Sequence, residues 1–180
     1  MSDIFAVPER ISGIRVLWRS QASLNFHLCY VELIVPSLSF TQLLSDLGQK
    51  LGIPSLTPTV EGICQLAIDG RHLLQIVDVS RRGLILLSCP VGPSTVTPEL
   101  AVLMARSNFM QAAGGAVACT APDGRLLLQL GVAGSCPPET VLSAIESLID
   151  EVEKWEVSLS RVPTAPRPRR RDALLHRQPA

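Results

Sequence analysis

Between Gly62 and Cys89 the chain reads as three short strands whose apolar residues fall on both faces. Gly62 to Asp69 alternates, with Cys64, Leu66 and Ile68 on one side and Gln65 and Asp69 on the other. Asp69-Gly70 is a hairpin turn signal, because such turns demand positive φ at both central residues. Arg71 to Val79 follows, with Leu74 and Ile76 set against Leu73, Val77 and Val79. After a turn from Ser80 to Gly83, Leu84 to Cys89 is apolar on both sides. A sheet that is half solvated alternates cleanly, whereas one with two apolar faces must be covered twice. That requirement constrains this chain more than any other feature.

The flanking segments supply helices and a second hairpin. Phe40, Leu43, Leu44, Leu47 and Leu51 share one helical face, and Ser39 with Gln42 has capping-box spacing. Gly52 and Pro54 stop that helix. Thr97-Pro98-Glu99 predicts a second helix start: a capping hydroxyl, a proline in the first turn, then an acid near the positive helix end. Leu100, Leu103, Met104 and Met110 lie broadly on one side of it, with Ala101 and Ala105 beside them, and residues 112–115 end it. Ala116 to Ala121 and Arg125 to Val132 form a hairpin around Pro122-Asp123-Gly124. In its second strand Leu126, Leu128, Leu130 and Val132 oppose Arg125 and Gln129. A last helix opens at Ser135 and two prolines; Val141, Leu142, Ile145, Leu148, Ile149, Val152, Trp155 and Leu159 line its apolar face. Glu139, Glu146, Asp150 and Glu153 line the other.

The expected fold is therefore α+β, in the order α-β-β-β-α-β-β-α, an antiparallel twisted sheet flanked by three helices. Three short helices cannot cover both faces of five strands, so a second copy or another partner is expected on the remainder. Composition agrees. Hydrophobic residues make up 47% of the 180 and the mean hydropathy is +0.30, yet no run of eighteen apolar residues escapes Gly, Pro or charge. Insertion into a membrane is thus not expected.

Three regions are expected: 1–38, an N-terminal extension; 39–160, the domain; and 161–180, a basic, disordered tail. The domain holds 7 Lys+Arg and 12 Asp+Glu, hence −5; the tail holds 6 Arg and one Asp, hence +5; the extension holds three of each sign. In the extension, Arg15 and Arg19 precede a semi-apolar run from Leu24 to Val35. His27 and Glu32 interrupt that run and no small-residue cleavage site follows, which argues against an export signal. An appended strand, an arm and a start codon placed too far upstream all stay open. Pro163, Pro166 and Pro168 with the arginines mark the tail.

No catalytic constellation is visible. The domain's one histidine is His72; His27 and His176 lie outside it. G-x-S-x-G, H-E-x-x-H and P-loop patterns are missing, so no enzyme, cofactor or metal is expected. Cys29, Cys64, Cys89, Cys119 and Cys136 are scattered and odd in number, with no C-x-x-C, which fits buried or idle thiols. The tail arginines have no interleaved aromatic to stack on bases, which argues against sequence-specific nucleic-acid binding.

The string LLSDLGQKLGIPSL, a loop, then EGICQLAID resembles the opening of class I type III secretion chaperones, the family of the Tir chaperone. LMARSNFMQAAGGAVACTAPDGRLLLQL and the terminal Trp155-x-x-x-Leu159 extend the resemblance, which runs from about Ser39 to Leu159. Asn108 falls at the family's usual, structural Asn. The resemblance implies a bacterial, cytoplasmic homodimer built on the second helix, binding an extended N-proximal segment of secreted effectors and delivering it to the secretion apparatus. Effectors, a second copy and the secretion-system ATPase are the partners it implies. Leu43, Leu44, Leu47, Leu66 and Ile76 are the candidate client contacts. Leu100, Leu103, Met104 and Phe109 are the candidate dimer contacts. For every one of these the alternative is plain core packing. The extension and the Arg-rich tail depart from the family. They keep a second function open, a regulator acting through its basic tail on nucleic acid or a transcriptional partner.

Overall fold

The computed structural model describes residues 16–18, 36–53, 55–92, 95–110 and 114–161. Their elements are β1 (Val16–Trp18), α1 (Leu38–Lys50), β2 (Ile63–Ile68), β3 (His72–Val79), β4 (Leu84–Pro90), α2 (Pro98–Met110), β5 (Val117–Thr120), β6 (Leu126–Ala133) and α3 (Pro138–Ser160). One short 3₁₀ turn, Ser80–Arg82, joins β3 to β4. From α1 onward this is the expected order, and β1 adds one strand ahead of it. The sheet is antiparallel throughout, ordered β1-β2-β3-β4-β6-β5. The rest of the extension, Pro54 and the tail beyond Arg161 lie outside the described residues.

Local chemistry accounts for the element ends. Asp69 (φ 52°) and Gly70 (φ 67°) both take left-handed backbone, and the Arg71 N–H donates to the Ile68 carbonyl at 3.0 Å. This is the tight hairpin turn that Asp-Gly favours. The α1 start differs from expectation. Ser37, not Ser39, is the cap: its Oγ accepts from the Phe40 N–H at 3.2 Å. The Ser39–Gln42 box does not form. Gln42 instead donates to Asp46 at 2.9 Å, one turn on, and Ser39 pairs with the Ser37 hydroxyl. The competing force is tertiary, because the Ser37 N–H also donates to the buried carboxylate of Asp78 on β3, at 2.7 Å. Thr97 caps α2 as expected, accepting from the Leu100 N–H. Ser135 does not cap α3; Pro137 holds that position, with Pro138 pre-set for the first turn.

The register sorts the two sheet faces. Leu66 lies opposite Leu74, Ile76 opposite Leu87 and Leu87 opposite Leu130. These residues join one buried cluster with Phe40, Leu44 and Leu47 of α1, Leu100 and Met104 of α2, and Val141, Leu148 and Trp155 of α3. All three helices thus bury their apolar residues on the same face. Gly48 of α1 lets the following loop close on the helix: a Cβ there would meet the Ile53 carbonyl at 3.0 Å and the Leu56 Cβ at 3.1 Å.

The opposite face carries Gln75, Val77, Ser88 and Leu127 with half-buried Leu73 and Leu86. Val77 and Leu127 stand outside the helix-covered cluster. The two apolar faces read from the strand pattern are present, and the helices serve one of them.

Candidate functional site

α2 is an amphipathic helix with too many apolar residues. Leu100, Met104 and Asn108, four apart, face the chain's own body. On the other side Val102, Leu103, Phe109 and Met110 are exposed, with Arg106 among them. Phe109 is 85% exposed and Leu103 36%. Val117 of β5 and Leu84 of β4, on the sheet face that the described helices leave, are exposed as well. Of the four residues expected at a self-interface, Leu103 and Phe109 are on the surface. Leu100 and Met104 are buried in the protomer's own core.

Asn108 fixes this surface to the sheet. Its Nδ2 donates to the Ala118 carbonyl and its Oδ1 accepts from the Ala118 N–H, both at 2.9 Å. Both backbone groups therefore point away from β6, and one side chain satisfies them.

The expected client contacts Leu43, Leu44, Leu47, Leu66 and Ile76 are all buried in the core, beneath or within α1 and the covered face. The exposed apolar residues nearby are different ones. Leu38 is 90% exposed and Val60 82%. They sit at one end of the molecule, because Ser37 and Gly62 both bond to Asp78. Sequence reasoning missed both: Leu38 precedes the helical periodicity and Val60 lies in a Pro/Thr loop. Neither belongs to a repeating pattern.

Ionisable groups come together where His72 meets Glu153 and Glu156 of α3. Burial pushes the Cys64 thiol up to about 12; burial, with the nearby Glu156 charge, does the same for Cys89. Cys119 and Cys136 are raised by burial as well. Such thiols stay protonated and unreactive at neutral pH. His72 is buried with its Nδ1 3.8 Å from Glu156 and its Nε2 4.0 Å from Glu153, both on α3. Among the described residues no group of three potential metal ligands occurs, and no helix is long and apolar enough to cross a membrane.

Residues 42–156, nearly two thirds of the chain, match the model of the Tir chaperone protein (CesT) family. The chain belongs to that family. Its fold is also that of solved relatives. The ExsC–ExsE complex is similar with a TM-score of 0.60 and 21% identity, over 70% of this chain and 95% of that one. The HopA1–SchA chaperone–effector complex gives 0.59 and 19%, over 67% and 94%. The Yersinia pestis type III secretion chaperone SycH, in complex with a stable fragment of YscM2, gives 0.52 and 16%, over 64% and 98%. A comparison with curated protein sequences gives no match. β1 precedes the family-matched residues, whereas the exposed stripe of α2 and Asn108 lie within them.

Proposed function

We propose that this family member is a type III secretion chaperone that binds an extended, N-proximal segment of one or more secreted effectors. It keeps that segment unfolded and presents it to the secretion apparatus, with a secretion-system ATPase as the receiving partner. The observation that carries this is the family match over residues 42–156. The apolar surface left uncovered on one protomer supports it. No bond is made or broken in such work, so the chain acts as a binding protein and not as an enzyme. The site of action is the bacterial cytoplasm, before export.

The working form is a homodimer, with the α2 stripe of each protomer meeting the other. Val102, Leu103, Phe109 and Met110 supply apolar contact and Val117 extends it. The client lies along α1 and the β2 end of the sheet, over Leu38 and Val60. Leu43, Leu44, Leu47, Leu66 and Ile76 shape that surface from beneath. A disordered client that wraps both protomers covers more than the roughly 1,600 Å² of an ordinary interface. The domain is 39–160; the basic tail is not needed for client binding.

The test is a pull-down of the tagged chain from its own bacterium at low salt and at about 0.5 M, where screening removes exposed charge pairs. The expected result is salt-resistant capture of secreted proteins through their N-proximal segments, unchanged when residues 161–180 are deleted. Capture seen only at low salt and lost with the tail would assign the chain to tail-mediated regulation instead.

A further inference from the structure

A charge stands in the middle of the apolar stripe of α2. Arg106 is exposed among Val102, Phe109 and Met110, and its side chain has no hydrogen bond or ion pair among the described residues. It is the sole charged residue from Leu100 to Pro122. The other charge on this side of the helix is exposed Glu99, seven residues back. Seven residues make about two helical turns, so both side chains share a face and stand about 10 Å apart along the axis. The stripe therefore runs acid, apolar, base, apolar: Glu99, then Val102 and Leu103, Arg106, then Phe109 and Met110. A guanidinium drawn into an apolar contact without an acid loses its water and gains no partner. An interface on this stripe needs a carboxylate opposite Arg106.

We propose that Arg106 of each copy pairs with Glu99 of the partner subunit, and that this pair sets an antiparallel register between the two α2 helices and makes the stripe selective for a second copy of this chain. This rests on the α2 self-contact proposed above and adds to it the register and the residues that enforce it. A two-fold axis crossing midway between Val102 and Leu103 exchanges positions 99 and 106, because both stand equally far from it. Both ion pairs then form at once, with the apolar residues packed between them. Parallel helices would set acid on acid and base on base, and lose both pairs. Exposed Ala101 and Ala105 add little bulk beside Val102, which lets the helix axes come within roughly 8–10 Å. Glu99 is suited to its part. Its own N–H and the Thr97 hydroxyl hold its carboxyl below the usual range, so it is ionised at neutral pH and keeps lone pairs for a guanidinium. A chain of the same fold with another charge order on this helix leaves Arg106 facing no acid, and is refused.

The experiment is charge reversal in the full chain, read by sedimentation equilibrium. Glu99→Arg alone leaves two bases on the stripe, and Arg106→Glu alone leaves two acids. Each is expected to weaken the dimer about a hundredfold, because both pairs turn repulsive together. Mixed in equal amounts, the two variants should form a heterodimer close to the parent in strength, since each supplies the charge that the other lacks. Recovery in the mixture also shows that neither variant had misfolded. The double variant Glu99→Arg/Arg106→Glu should dimerise with itself and reject the parent chain, whereas parallel helices give the reverse preference. Single variants that dimerise as the parent does, a mixture that stays monomeric, or a double variant that prefers the parent chain each overturn the proposal. Should Glu99→Arg unfold, Arg106→Glu is compared with Arg106→Gln: the acid must weaken the dimer about tenfold more than the neutral residue, and equal weakening overturns the pair. Effector capture is measured separately. A dimer indifferent to these charges that still captures effectors sinks the register and leaves the chaperone function standing. A chain that captures no effector removes the chaperone function, whatever its dimer does.

Discussion

α3 and α2 are both helices with several apolar residues, and they use them in opposite ways. α3 has one apolar stripe, and Val141, Ile145, Leu148, Val152 and Trp155 are buried along it. Most of its charges lie on the solvent side, Glu151 being the buried exception. α2 has apolar residues almost all round, of which only Leu100 and Met104 are buried in the protomer. A helix with one stripe needs one partner; a helix with two needs two. The sheet repeats the lesson, with one face under three helices and the other under none of the described helices.

The comparison is best tested by mutation in a graded series. Leu148→Ala on α3 should cost about 2–5 kcal/mol in urea unfolding, because the site is closed on all sides and leaves a cavity. A loss below about 1 kcal/mol would mean the covered face is loosely packed. Next is pH. Cys64 and Cys89 have folded values of about 12 against 9.0 when free, so the folded state binds their protons more tightly. That stability is complete below 9.0 and is lost as pH rises from there toward 12. One unit above 9.0 the two thiols together account for a loss of the order of 1–3 kcal/mol. A Cys64→Ala/Cys89→Ala protein should show a flatter decline over the same window.

Asn108→Ala sits between the two helices' behaviours. It frees two backbone groups of Ala118 and should cost about 1–3 kcal/mol while leaving the exposed stripe chemically intact. Leu103→Glu with Phe109→Glu should change protomer stability by less than about 1 kcal/mol, since both side chains are on the surface. Sedimentation equilibrium should nevertheless show a monomer. A dimer that persists would move the self-interface off α2. Smallest is the Lys50–Glu139 pair, 2.6 Å apart, joining α1 to α3. The hydrogen bond from Lys50 holds the Glu139 carboxyl below its usual 4.5, so the link is present above that value and fades as pH falls below it. Lys50→Ala should shift the acid unfolding curve only slightly.

What was legible in the sequence was periodic. β2 and α3 repeat a strict pattern, and Asp69-Gly70 has a single low-energy use, so the structure follows them closely. What was not legible depends on residues far away in sequence. Ser37 caps α1 because Asp78, forty-one residues on, holds its N–H. Val16–Trp18 is three residues with no alternation, and its strand identity comes from β2. Leu38 and Val60 stand out only once their surroundings are folded. The choice between burial and exposure at Leu43, Leu44 and Leu47 was open for the same reason, because a helical stripe does not say which chain it meets.

Asn108 has one more implication. Its amide grips Ala118 with both a donor and an acceptor, so α2 cannot roll about its own axis without losing both bonds at once. The outward stripe is thus presented at a set angle before anything reaches it. A surface preorganised in this way surrenders little orientational freedom on meeting its counterpart, and a larger share of the contact energy then appears as affinity.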